Sequence, residues 1–171
     1  PKVVALGEIG LDYYYDDGAP RELQRKIFIE QIDVAKQMNK PIVVHNRDAH
    51  GDVMDILKKE AKGLTGVMHC YSGSWEMAKE LIKMNFFLSV GGPVTFKNSA
   101  KLPEIVAKIP LEYLLLETDC PYLTPQPYRG KRNEPAYIKI IAEKIAQIRN
   151  ITVEELAVTT TDNVKNIFGI K

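Results

Sequence analysis

Histidine occurs in this 171-residue chain only at positions 45, 50 and 69, and cysteine only at 70 and 120. The two cysteines form no CxxC pair and support no disulfide framework. With no signal sequence either, a reducing, cytoplasmic setting is expected. Charge of neither sign dominates: 23 Lys and Arg face 22 Asp and Glu, a net charge of +1. Any affinity for a polyanion must therefore come from a local basic patch. No apolar run approaches the ~20 residues of a membrane span, so no membrane partner is expected. Repeats, low-complexity segments and linkers are missing as well, and residues 1–171 read as one domain. The chain has no initiator Met and opens inside an apolar run, Pro1-Lys2-Val3-Val4. That opening reads as a cut through a larger protein.

What the chain does contain is a repeated ending. Four apolar runs close on a residue able to hold a divalent ion: VVALGE on Glu8, PIVVH on His45, TGVMH on His69 and LEYLLLETD on Asp119. Parallel strands buried on both faces read as continuous apolar runs, and β/α folds place their chemistry just past the C-terminal strand ends. A further strand, FFLSVGG, ends on glycines instead of a ligand.

Helical patterns separate the strands, which argues for βα units and a parallel sheet. Pro20 opens a helix carrying Leu23, Ile27, Val34 and Met38 at helical spacing, and Val53, Ile56 and Leu57 mark a second. Ser74 is placed to cap a third, with Met77, Ala78, Leu81 and Ile82 inward. Leu102, Ile105, Val106 and Ile109 lie on a fourth. Pro135 suits the first turn of a fifth, and Thr152 with Glu155 forms a capping-box pattern for a sixth. Cys120 to Pro135 is a proline-rich loop, of a length that is often functional. Five βα units take about 156 of the ~250 residues in a (β/α)8 barrel. The chain is either an open doubly wound sheet or the last five strands of a barrel. An open sheet would expose an apolar edge at residues 2–7, to be covered by missing sequence or another copy of the chain.

Carboxylates and imidazoles together suit borderline ions such as Zn²⁺ or Mn²⁺. Glu8, between Gly7 and Gly10, is placed to bridge two ions, unless it is simply an acid facing water. Asp119 could bind an ion, take a proton from ion-bound water, or cap the turn before Pro121. His50 reads as a cap or surface residue, and Trp75 as a helix-packing residue. Arg47 points to the same side of its segment as His45. Arg129, Lys131 and Arg132 sit in the long loop and, with Arg47, suggest an anionic substrate. Tyr13, Tyr14 and Tyr15 could stack on bases or simply pack their loop.

Taken together, GEIGLDYYYD, PIVVHNRDA, GVMHCYSGS, FLSVGGPVTFK, LLLETDCPYLTP, YRGKRNEP and TTTDNVKNIFGI resemble the TatD family of metal-dependent deoxyribonucleases. The resemblance runs in order over essentially the whole chain. It implies a (β/α)8 barrel of TIM type, of which the five runs are strands four to eight. It implies two divalent ions of the Mg, Mn or Zn class and hydrolysis of DNA phosphodiesters by metal-activated water. Carried over, Glu8 bridges the ions, His45 and His69 hold the second, and Asp119 holds the first and accepts the proton of the nucleophilic water. Arg47 and Arg129 become candidate phosphate contacts. The family's His-x-His pair has no counterpart here. One position keeps Glu8, His45 and His69, and the other only Glu8 and Asp119. The segment is therefore expected to hold one ion or none and to be inactive alone. A hydrolase of another ester or amide, or a non-catalytic fragment, is the alternative.

Overall fold

The computed structural model describes residues 2–171. Five strands alternate with helices in the order β1 (Leu6–Asp12), α1 (Arg21–Gln37), β2 (Ile42–Arg47), α2 (His50–Glu60), β3 (Gly66–Met68), α3 (Trp75–Lys83), β4 (Phe86–Val90), α4 (Lys101–Val106), β5 (Leu114–Leu116), α5 (Ile138–Arg149) and α6 (Val153–Phe168). All four strand pairings are parallel. The sheet order is β1-β2-β3-β4-β5. Each new strand adds beside the last, so the reversal of order that defines a doubly wound sheet is absent among the described residues. Stepwise addition is how a barrel wall is laid down.

The helix starts follow local chemistry. Ser74 Oγ accepts from Met77 N at 3.2 Å, and Thr152 Oγ1 accepts from Glu155 N at 3.0 Å. Each satisfies an amide that the first helical turn leaves without a partner. His50 is the first residue of α2, and Trp75 packs against the core at the start of α3. No described helix is long and apolar enough to cross a membrane.

The strand ends expected at Glu8 and His45 need correction, and β2 runs on past His45 to Arg47. Glu8 does not end a strand, because β1 continues through Ile9 and Leu11 to Asp12. Those two apolar residues are buried and carry the strand beyond the point where the first apolar run breaks. On α1 the buried side chains are Phe28, Ile32 and Ala35. Leu23, Ile27, Val34 and Met38 are between 42% and 54% exposed. The helix has apolar residues on two sides, and periodicity alone does not say which side meets the sheet.

Strand parity then decides where the chemistry can be. Side chains alternate between sheet faces. Ile9, Leu11, Ile42, Val44, Met68, Leu88 and Leu114 enter the main core beneath the helices. Val67 and Leu115 form a second, smaller cluster with Ile167, and Val43 and Phe87 pack against it. Positions 8, 10, 12, 45, 69 and 117 share parity with that second set, so they belong to the face away from the main core.

Candidate metal centre

His45 stands opposite Gly10 in the β1–β2 register. It lies in the gap between Glu8 and Asp12, two residues to either side of that glycine. A Cβ on Gly10 would overlap the His45 carbonyl oxygen, and its φ of +147° is one that side chains rarely adopt. The glycine is thus required by close approach of the two strands. His45 Nδ1 lies 2.9 Å from Glu8 Oε1, and Nε2 lies 3.0 Å from Asp12 Oδ2.

His69 follows β3 directly and reaches the same Glu8 oxygen. Its Nε2 is 3.5 Å from Glu8 Oε1 and 3.4 Å from Asp119 Oδ1. Its Nδ1 is 2.7 Å from Glu117 Oε2. The other Glu117 oxygen accepts from Cys70 N at 2.6 Å. Asp119 sits beyond β5 with a left-handed φ of 56°. Its turn is closed by Tyr122 N donating to Asp119 O at 2.9 Å. Buried Asn133 ties the loop down by donating to Thr118 O and Tyr122 O at 2.7 and 2.5 Å.

The electrostatics are those of acids crowded about an imidazole. Burial alone would lower the His69 pKa, but the Glu117 hydrogen bond and the charges of Glu117, Glu8 and Asp119 raise it to about 9. Burial works against the charged form of Glu117 too, yet hydrogen bonds headed by His69 hold its carboxyl below the usual range. Asp119 is pushed up by burial and by neighbouring Glu117 and Glu8, with His69 opposing. A divalent cation would displace the imidazolium proton and take over its charge among these carboxylates. Glu8 Oε1 has one nitrogen of each histidine beside it, donor types that borderline ions accept. His69, Cys70 and Asp119 also place ligand atoms within 4.8 Å of one another. Burial and the nearby acids raise the Cys70 thiol pKa, which leaves it the poorest ligand of the group.

Glu8, Asp12, His45, His69, Cys70 and Asp119 line a cleft of about 1150 Å³ that also includes Arg47, Tyr15 and Tyr122. The Arg47 guanidinium lies 3.7 Å from the Tyr14 ring centroid. That stacking holds the cation at the cleft while leaving its edge to hydrogen-bond. Arg129 lies 4.1 Å from the Phe96 ring centroid and donates to Asn98 at 3.3 Å. Asn98 lines the cleft, whereas Arg129 acts at one remove from it. The four expected metal residues therefore converge, and the two arginines divide. Asp12 and Glu117 were not singled out from the sequence. Parity with Glu8 and with Leu115 was the signal that could have found them.

The family profile described as TatD related DNase matches residues 1–169. The chain belongs to the TatD family. The uncharacterized metal-dependent hydrolase YabD of Bacillus subtilis (strain 168) is 56% identical over 170 residues, 99% of this chain and 66% of that protein. The 3'-5' ssDNA/RNA exonuclease TatD of Escherichia fergusonii is 39% identical over 177 residues, 99% of this chain and 67% of its own length. Among solved structures, the TatD homologue YJJV of Escherichia coli K12 superposes with a TM-score of 0.93 at 32% identity, covering 99% of this chain and 65% of that one. The TatD-family chain thus spans about two-thirds of the length of the relatives it matches.

Proposed function

We propose that this chain carries the metal-holding part of a hydrolase that cleaves phosphodiester bonds in DNA, with its five strands as strands four to eight of an eight-stranded barrel. The observation that carries the reading is the convergence of Glu8 with His45 and His69 on the sheet face away from the main core, with Asp119 at 3.4 Å from His69. Family membership and the relative named as a single-strand exonuclease support the substrate class.

Glu8, His45 and His69 would hold one divalent ion, and Glu8 with Asp119 would supply part of a second position. Such an ion lowers the pKa of a water and neutralises charge on a phosphoryl oxygen. Asp119 serves as the proton acceptor. Its carboxylate lines the cleft beside His69, where it can take a proton from such a water. Arg47, held against Tyr14, orients a non-bridging phosphate oxygen from the cleft wall. Arg129 restrains the Asn98 loop and reaches the phosphate chain farther from the reacting bond.

The test is cleavage of an end-labelled single-stranded oligonucleotide with Mg²⁺ or Mn²⁺ by the longer protein in which three further strands complete the barrel, compared with a chromogenic carboxylic ester. Asp119→Asn is expected to lower oligonucleotide cleavage by at least ~10²-fold. Undiminished cleavage by that variant would remove Asp119 from the mechanism. Turnover of the ester but not the oligonucleotide would move the site to the other hydrolase class.

A further inference from the structure

A histidine ligand offers a metal one bare nitrogen, and the hydrogen bond made by the other nitrogen decides which one is bare. In this site the two histidines present different nitrogens to the same atom. Glu8 Oε1 is 2.9 Å from His45 Nδ1 and 3.5 Å from His69 Nε2. Behind each ring stands a different carboxylate. Asp12 Oδ2 is 3.0 Å from His45 Nε2, and Glu117 Oε2 is 2.7 Å from His69 Nδ1.

Both carboxylates are themselves held. Asp12 Oδ1 accepts from Tyr14 N at 3.0 Å. The Gln24 amide brackets the Asp12 backbone, accepting from its N–H and donating to its carbonyl, each at 2.9 Å. Glu117 Oε1 accepts from Cys70 N at 2.6 Å. Register supplies the room. Gly10, the residue opposite His45, has no side chain to separate the ring from Glu8 and Asp12. Met68 pairs with Leu88, so the next residues, His69 just past β3 and Ser89 in β4, follow side by side, and Ser89 is buried and small enough to leave room for Glu117, the residue after β5.

We propose that Asp12 and Glu117 are positioning residues that assign opposite nitrogens to the ion, Nδ1 from His45 and Nε2 from His69. The inference rests on the metal-binding reading above and goes beyond it. Neither acid is among the residues that hold the ion, and each acts by fixing the tautomer and rotation of one imidazole. A carboxylate behind the ring also makes the bare nitrogen a stronger donor.

The experiment uses the 171-residue chain, labelled with ¹⁵N and loaded with ¹¹³Cd²⁺ as the probe ion. One-bond cadmium–nitrogen coupling is expected at His45 Nδ1 and His69 Nε2, with the two remaining nitrogens protonated. Coupling at His45 Nε2 or His69 Nδ1 overturns the proposal while leaving the ion site intact. Absence of any bound ion overturns both this proposal and the metal-binding reading. Asp12→Asn and Glu117→Gln are each expected to weaken Zn²⁺ binding by ~10–100-fold in calorimetry, with the coupling of the affected ring lost or split between its nitrogens. Glu117 is deeply placed and its variant could misfold, so Asp12→Asn decides the matter alone. Unchanged affinity and an unchanged coupling pattern in a folded Asp12→Asn chain would overturn the role.

Discussion

Asn133 shows how one buried amide sets the geometry of a residue fourteen positions away. Its side-chain N–H groups satisfy the carbonyls of Thr118 and Tyr122, on either side of Asp119, and its Oδ1 accepts from Glu134 N at 2.9 Å. Asn133→Ala strands both carbonyls, and the expected loss is about 1–3 kcal/mol in denaturant unfolding. Unaltered stability would show that water replaces the amide. At this scale the sequence was informative about the acids and imidazoles that meet at the cleft and silent about their supports. Glu8, His45, His69 and Asp119 are chemically conspicuous at the ends of apolar runs. Asp12, Glu117 and Asn133 look like ordinary polar residues until pairing register brings them into contact.

The helices were legible in existence and partly in orientation. Ser74 and Thr152 cap as their sequence positions suggest, and Val53, Ile56 and Leu57 face the core on α2. On α1 the apolar period alone could not choose between two stripes. The choice predicts a measurable contrast. Ile32→Ala, at a fully buried site, should cost about 2–5 kcal/mol in unfolding free energy. Val34→Ala, at 44% exposure, should change it by less than about 0.5 kcal/mol. Equal costs would mean that the second stripe is also packed in solution. A polar tie joins the same elements: Tyr13 Oη and Arg25 Nη1 donate to Asp52 Oδ2 at 2.6 and 2.9 Å. The Tyr13 hydroxyl, then Arg25, holds the Asp52 carboxyl below its ordinary value of 3.8. A folded-state pKa below the unfolded one adds stability above the unfolded value, and that stability is lost as pH falls through the folded value. Acid titration followed by circular dichroism should therefore show a shallower loss of structure below pH 3.8 for Asp52→Asn. An identical acid limb would show that solvent screens this exposed pair completely.

Across the whole molecule, strand order distinguishes what apolar runs could not. Five βα units are readable from the sequence, yet a doubly wound sheet and a barrel wall contain the same units. The sequential parallel order and the 0.93 TM-score to the TatD homologue YJJV place this chain with the second architecture. That winding, with period-two alternation along each strand, sends four potential ligands from four different strands to one cleft. An ion that binds only the folded chain stabilises it by mass action, about 2.7 kcal/mol at a hundredfold excess over Kd. The central claim is that Glu8, His45 and His69 form one such ion site. Its most direct test is an anomalous-difference map, at the metal absorption edge, from crystals of the chain grown with Zn²⁺. The account predicts a peak bounded by the Glu8 carboxylate, His45 Nδ1 and His69 Nε2. A map with no peak there, or with its strongest peak at His50 or Cys120, would contradict it.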